Sequence, residues 1–233
     1  MPTTLITGAN RGLGLELVKQ YAEAGWRVYA TCRTPESADA LQEVVTNRGG
    51  TVSVHGLDAD DPSSIVALAD DLAGIAIDVL INNAGIFTDP RGGGGFGEMD
   101  YEAWLRSFRI NTLGPMRVAE AFCDHVACSD RKLIVVITSK MGSIADNTSG
   151  GYYAYRSSKA AVNMVVKSMA LDLKSRGVAA VVLHPGWVKT DMGGQSAPLD
   201  APTSVRGMRD VIERCGMPES GCFFGYDGAE IPW

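Results

Sequence analysis

Short runs of β-branched and apolar residues alternate along the chain with longer stretches in which apolar positions return every three or four residues. The short runs predict strands over residues 3–7, 27–32, 51–56, 79–82, 132–138 and 179–184, with a last short strand over 222–224. The longer stretches predict helices over 13–24, 37–46, 62–72, 101–127 and 155–175, and one more near 204–215. The strand runs are continuously apolar rather than alternating, as a sheet covered on both faces requires. Gly25 and Gly177 stand where helices stop. Regular alternation of the two patterns predicts an α/β fold: a doubly wound parallel sheet of about seven strands with helices on both faces.

No linker or repeat interrupts this order, so one domain is expected over residues 1–233, with a substrate loop at about 186–204. Two connections depart from the pattern. Residues 91–97 contain four consecutive glycines, Gly92 to Gly95, and residues 193–203 form a polar segment rich in Gly, Ala and Pro. Ligands of open α/β sheets bind beyond the carboxyl ends of the strands, so both segments fall on the functional rim, as lids or as plain surface loops.

A composition of 45% hydrophobic and 21% charged residues is ordinary and adds little. Charge adds more. A net charge of −6 and a pI of about 5.1 argue against a nucleic-acid partner and an anionic membrane surface. No apolar run approaches the ~18 residues of a membrane span, and an apolar strand beginning at Thr3 leaves no room for a leader, so a cytoplasmic location is expected. The five cysteines lack any C-x-x-C spacing, so neither a disulfide framework nor a metal site is expected. His55, His125 and His184 are scattered and read as structural.

The first strand runs into Thr7-Gly8-Ala9-Asn10-Arg11-Gly12-Leu13-Gly14 and then a helix. Glycines at a strand-to-helix turn let the backbone approach a pyrophosphate, and the helix N-terminus offers amides and partial positive charge. The spacing is G-x-x-x-G-x-G, not the usual G-x-G-x-x-G. Far along the chain, Tyr155 and Lys159 stand four residues apart on one helical face. An ammonium held near a phenol favours the phenolate, so the tyrosine pKa is expected to fall from about 10 toward a value useful for acid–base chemistry.

Taken in order, Thr7-Gly8-x3-Gly12-x-Gly14, Asn82-Asn83-Ala84-Gly85, Asn111, Ser139, Tyr155-x3-Lys159 and Pro185-Gly186 resemble the short-chain dehydrogenase/reductase family, whose fold is the Rossmann fold. The opening and the ending Phe223-Phe224-Gly225-Tyr226-Asp227-Gly228 are similar to its C-factor, sniffer and carbonyl-reductase-like branch. The resemblance covers essentially the whole chain. It implies hydride transfer between a nicotinamide cofactor and a small carbonyl or alcohol substrate. Tyr155 would be the general acid/base, Lys159 its partner and a holder of the nicotinamide ribose, and Ser139 the hydrogen-bond donor to the substrate oxygen. Asn111 would hold a water linking Lys159 to solvent. Gly8, Asn10, Arg11, Gly12, Leu13 and Gly14 would form the pyrophosphate turn, and Asp58 would meet the adenine. Asn82, Ala84 and Gly85 would frame the adenosine ribose, with Asn83 serving structure. Pro185, Gly186, Val188 and Thr190 would lie at the nicotinamide end. Relatives often pair through their fourth and fifth helices, so a homodimer or homotetramer is expected.

The second predicted strand ends Thr31-Cys32-Arg33, without the acidic residue of an NAD site. Arg33 and Arg11 could instead clamp a 2′-phosphate, so NADP(H) is expected over NAD(H); two solvated arginines are the competing reading. Several residue roles remain open between two assignments. Ser143 competes with Ser139, while Tyr152 and Tyr153 lack a lysine four residues on and are expected to shape the substrate mouth. Phe87, Met141, Tyr152, Trp187 and Met192 are expected to line the same rim and to suit an apolar or aromatic carbonyl compound, with Phe87 and Trp187 as packing residues in the competing reading. A signalling or redox-sensing protein could use this scaffold without catalysis, and epimerisation or dehydration is a third reading.

Overall fold

The apolar runs of the computed structural model pair as one seven-stranded, wholly parallel sheet, described over residues 1–48, 50–90 and 95–233. Its strands are β1 (Thr3–Ile6), β2 (Arg27–Cys32), β3 (Val52–Gly56), β4 (Val79–Asn82), β5 (Leu133–Ile137), β6 (Ala179–His184) and β7 (Phe223–Gly225), in the spatial order 3-2-1-4-5-6-7. Register is carried by pairs such as Ile6 with Ala30 and Ile81, and Asn82 with Val136. The order reverses between β1 and β4, and the switch opens a crevice at the strand ends.

Side-chain alternation divides the core in two. Ile6, Val79, Ile81, Val135 and Val181 face helices α1 (Gly12–Glu23), α2 (Asp39–Asn47) and α7 (Ala201–Arg214). Leu5, Leu80, Ile134, Val136 and Val182 face α3 (Pro62–Asp71), α5 (Gly114–Ala127) and α6 (Tyr153–Asp172). With both faces covered, the central strands need apolar residues at every position, which is why their runs are continuous. Ser53 and His55 interrupt the pattern in β3, where they are half-buried on an edge strand.

One predicted element divides. Residues 101–127 form α4 (Tyr101–Phe108), a π-helical turn (Arg109–Leu113) and then α5, rather than one helix. The wider turn carries Asn111, and Pro115 follows at the start of α5, where a missing N–H is tolerated. Helix α6 begins at Tyr153 and closes through a 3-10 turn (Leu173–Arg176) onto Gly177 at φ +70°. Of the predicted glycine-run insertion, residues 91–94 lie outside the described residues; Gly95 donates its N–H to Glu98 at 3.0 Å. No described helix is long and apolar enough to cross a membrane. Among the described residues, no three His, Cys, Asp or Glu side chains gather as a metal site, and all five cysteines are free thiols.

Candidate active site

A cleft of about 460 Å³ opens at the carboxyl ends of the strands, over the β1/β4 switch. Its floor is built from close backbone approaches. Gly8 has φ +66°, and a Cβ there would sit 2.9 Å from Ala84 Cα; a Cβ on Gly14 would collide with the Gly8 carbonyl. Thr7 Oγ accepts the N–H groups of Asn83 and Ala84 at 3.0 Å each. Asn83 Nδ2 in turn donates to the carbonyls of Thr7 and Gly8 at 2.9 and 3.0 Å. The β4 end therefore holds the β1–α1 turn in shape. Helix α1 starts in this turn from an extended Arg11 with no side-chain cap, so its first amides remain for an anion in the cleft.

Gly8, Asn10, Arg11, Gly12, Leu13, Gly14, Arg33, Asp58, Ala84, Gly85, Tyr155, Lys159, Pro185 and Thr190 all line this cleft, so most of the sequence-derived site converges. Five expected members are not among its lining residues. Asn82 is 2% exposed with Nδ2 unpartnered, and Val188 is buried at 4%. Gly186 packs against Leu199 and Tyr226. Ser139 is nearly buried just beyond β5, where its Oγ accepts the Met141 N–H at 3.1 Å. Asn111 is wholly buried. Its Oδ1 accepts from Ile86 N at 2.8 Å, and its Nδ2 donates to Ile86 O at 2.9 Å and Ser158 Oγ at 3.0 Å. Those bonds tie the loop after β4 to α6 and engage the side chain expected to hold a water.

The cleft also takes in Cys32, Leu57, Ala59, Ile86, Thr138 and Asp191, which sequence reasoning did not assign to the site. Cys32 ends β2, while Leu57 and Thr138 directly follow β3 and β5. Proximity to a strand's carboxyl end was the signal that could have found them. Arg11 differs from expectation: it pairs with Asp191 at 2.6 Å across the cleft, both side chains being largely exposed. Arg33 makes no ion pair among the described residues. The two arginines are thus not equivalent, because the α1 start aims Arg11 at the loop after β6.

Tyr155 and Lys159 are buried side by side on α6. Lys159 Nζ donates to the Ile137 carbonyl at 3.0 Å and lies 5.8 Å from the Tyr155 ring centroid. A Cβ on Gly85 would come within 3.6 Å of Nζ, so glycine keeps room beside the ammonium. The expected fall in the Tyr155 pKa is not what the structure gives. Burial pushes Tyr155 up to about 12, with the Ser139 hydroxyl pulling the other way, and burial brings Lys159 down to about 8. Desolvation outweighs the attraction because the ammonium points at a backbone carbonyl and not at the phenol oxygen. The Tyr155 hydroxyl instead meets Met192 Sδ at 4.0 Å.

The competing Ser143 hydroxyl is engaged elsewhere. Ser143 Oγ donates to Pro232 O at 2.6 Å and accepts the Asp146 N–H at 3.1 Å. Tyr152 precedes α6 in a left-handed conformation, φ +51°, with its ring 5.8 Å from that of Phe87. Phe87 also packs on the Tyr155 ring at 4.9 Å. His184, the last residue of β6, is brought down to about 4, chiefly by burial, with Lys140 adding to it, so it is a neutral imidazole at pH 7.

A family model described as short chain dehydrogenase matches residues 2–199. C-signal of Myxococcus xanthus is 50% identical over 160 residues, which are 67% of this chain and 93% of that relative. Among solved structures, carbonyl reductase Sniffer of D. melanogaster matches with a TM-score of 0.92 at 36% identity, covering 100% of both chains. The NADPH-bound carbonyl reductase from chicken fatty liver matches with a TM-score of 0.90 at 32% identity, over 100% of this chain and 99% of its own.

Proposed function

We propose, since the chain belongs to the short chain dehydrogenase family, that it is an NADP(H)-dependent oxidoreductase interconverting a small carbonyl compound and its alcohol. Tyr155 is the general acid of reduction and the general base of oxidation. The observation that carries this reading is the buried Tyr155–Lys159 pair at the inner end of a cleft whose outer end is a capless helix N-terminus.

The cleft fits a dinucleotide. Bare α1 amides, and glycines with no space for a Cβ, suit a pyrophosphate lying against the backbone. Arg33, free of an acidic partner among the described residues, suits a 2′-phosphate, and the NADPH-bound relative supports the same preference. Asp58 and Ala84 would hold the adenosine end, Lys159 and Thr190 the nicotinamide end. When bound, the reduced nicotinamide supplies the hydride.

The chain's own residues handle the proton. Tyr155 keeps its proton at neutral pH, since burial sets its pKa near 12, and so it is ready to donate to a substrate oxygen. Ser139 Oγ already accepts from Met141 N, which leaves its own O–H to donate to the same oxygen as charge develops. Lys159 is still mostly protonated at pH 7 and stabilises the phenolate left behind. The segment 186–204 acts as the substrate loop, with Met192 against the Tyr155 hydroxyl. A binding-only role could use Lys159 to hold the nucleotide but would have no need of the Tyr155 phenol buried beside it.

The test is Tyr155→Phe, followed by NADPH oxidation at 340 nm against aldehydes, ketones and quinones. Turnover should fall by about 10²-fold or more, while NADPH affinity stays within about twofold because the glycine turn is untouched. Wild-type turnover in the variant overturns the role of Tyr155. Comparable KM values for NADH and NADPH overturn the cofactor preference.

A further inference from the structure

Helix α6 carries Tyr155 and Lys159, yet the residue before it cannot cap it. Tyr152 sits in the left-handed region at φ +51° and ψ +43° and makes no side-chain cap bond. A helix leaves its first amides unpaired unless a side chain accepts them, and the groups usually met are those of the second and third residues. In α6 these are the N–H groups of Ala154 and Tyr155. Both are accepted by one carboxylate from a distant part of the chain: Asp89 Oδ1 at 3.2 Å from Ala154 N, and Asp89 Oδ2 at 2.8 Å from Tyr155 N.

Asp89 lies in the connection after β4, and its neighbours fix that connection at several points. Ile86 is bonded at both N and O by Asn111. Thr88 Oγ1 donates to Ala103 O at 3.2 Å and shares a 2.6 Å hydrogen bond with Ser107 of α4. Phe87 lays its ring 4.9 Å from the ring of Tyr155. The same four residues therefore grip the backbone of Tyr155 through Asp89 and its side chain through Phe87.

We propose that Asp89 is a positioning residue for proton transfer, which holds the start of α6 so that the Tyr155 hydroxyl meets the substrate oxygen. This rests on the assignment of Tyr155 as general acid/base. A negative carboxylate is favoured at a helix N-terminus by the peptide dipoles as well as by the two hydrogen bonds. Without it, the first turn of α6 would fray from a left-handed Tyr152. A displacement of about 1 Å at a reacting group is enough to slow a reaction about a hundredfold.

The experiment compares the wild-type chain with Asp89→Asn and Asp89→Ala by steady-state carbonyl reduction and by amide hydrogen exchange. In Asp89→Ala, kcat should drop about ten- to a hundredfold with KM for NADPH within about twofold, since the glycine turn is remote. The Tyr155 amide should exchange at least tenfold faster, because it has lost its acceptor. Asp89→Asn, whose side-chain carbonyl still accepts one N–H, should recover most of both. An unchanged Tyr155 amide in Asp89→Ala overturns the proposal whatever the turnover, and so does faster exchange with undiminished kcat. If the wild-type chain reduces none of the carbonyls and Tyr155→Phe changes nothing, the functional reading has failed. The exchange of the Tyr155 amide still decides whether Asp89 holds it.

Discussion

Lys159 keeps its ammonium buried, and burial lowers its pKa from 10.5 to about 8. Between those values the unfolded chain binds more protons than the folded one, so stability rises with pH across that window. Below about pH 8 the buried charge is a destabilising element that the fold carries for the sake of the site. Tyr155 acts in the opposite sense. Its folded pKa of about 12 exceeds the ordinary 10.0, so its contribution is fully present below pH 10 and is lost as pH rises toward 12. Urea titrations should therefore show stability climbing from pH 8 and turning over above pH 10. Lys159→Met should flatten the rise and, at pH 7, exceed the parent in stability by on the order of 1 kcal/mol while losing activity. A less stable Lys159→Met at pH 7 would mean that the bond to the Ile137 carbonyl outweighs the desolvation of the ammonium.

The π-helical turn between α4 and α5 is the element that joins the loop after β4 to helix α6. It brings Asn111 to both Ile86 and Ser158, and its neighbour Thr112 donates to the Ser158 carbonyl at 2.9 Å. Asn111→Ala would remove the partner of the half-buried N–H and C=O of Ile86, so it should lower stability by about 1 kcal/mol in urea unfolding and loosen the loop after β4. A neutral effect would show that water replaces the amide. This joint also marks the limit of what was legible in the sequence. The strands could be read because two-sided burial forces unbroken apolar runs, and the glycine turn because its φ values and close approaches admit little else. A single added residue in a helix shifts its face by about 100° without breaking the apolar rhythm, so residues 101–127 read as one helix. Asp89 was illegible for another reason: its partners lie 65 and 66 positions away, and nothing local distinguishes it from a loop aspartate. Arg11 was legible as a cation in the glycine turn, but its pairing with Asp191, 180 positions on, depends on the tertiary fold.

At the scale of the molecule, helices α4 and α6 carry large apolar side chains that neither core buries. Tyr101 and Leu105 of α4 are 70% and 57% exposed, and Met164 and Leu171 of α6 are 66% and 68% exposed. The two helices are joined by Trp104 Nε1, which donates to Ser157 Oγ at 2.8 Å. Large exposed apolar side chains on two adjoining helices favour association of copies, and light scattering should return two or four times the 24.7 kDa chain mass. A mass of one chain would assign these faces to solvent. The strand order carries a different consequence, for how the chain first acquires its shape. Every neighbouring pair in the sheet is parallel, so no two strands can meet through a tight hairpin, and β1 must wait for β4, whose residues lie 75 positions later, before its second edge is closed. Such distant pairings make folding slow relative to a helical bundle of equal size. During synthesis, the glycine turn thus leaves the ribosome well before the Asn83 and Ala84 segment that holds it in shape.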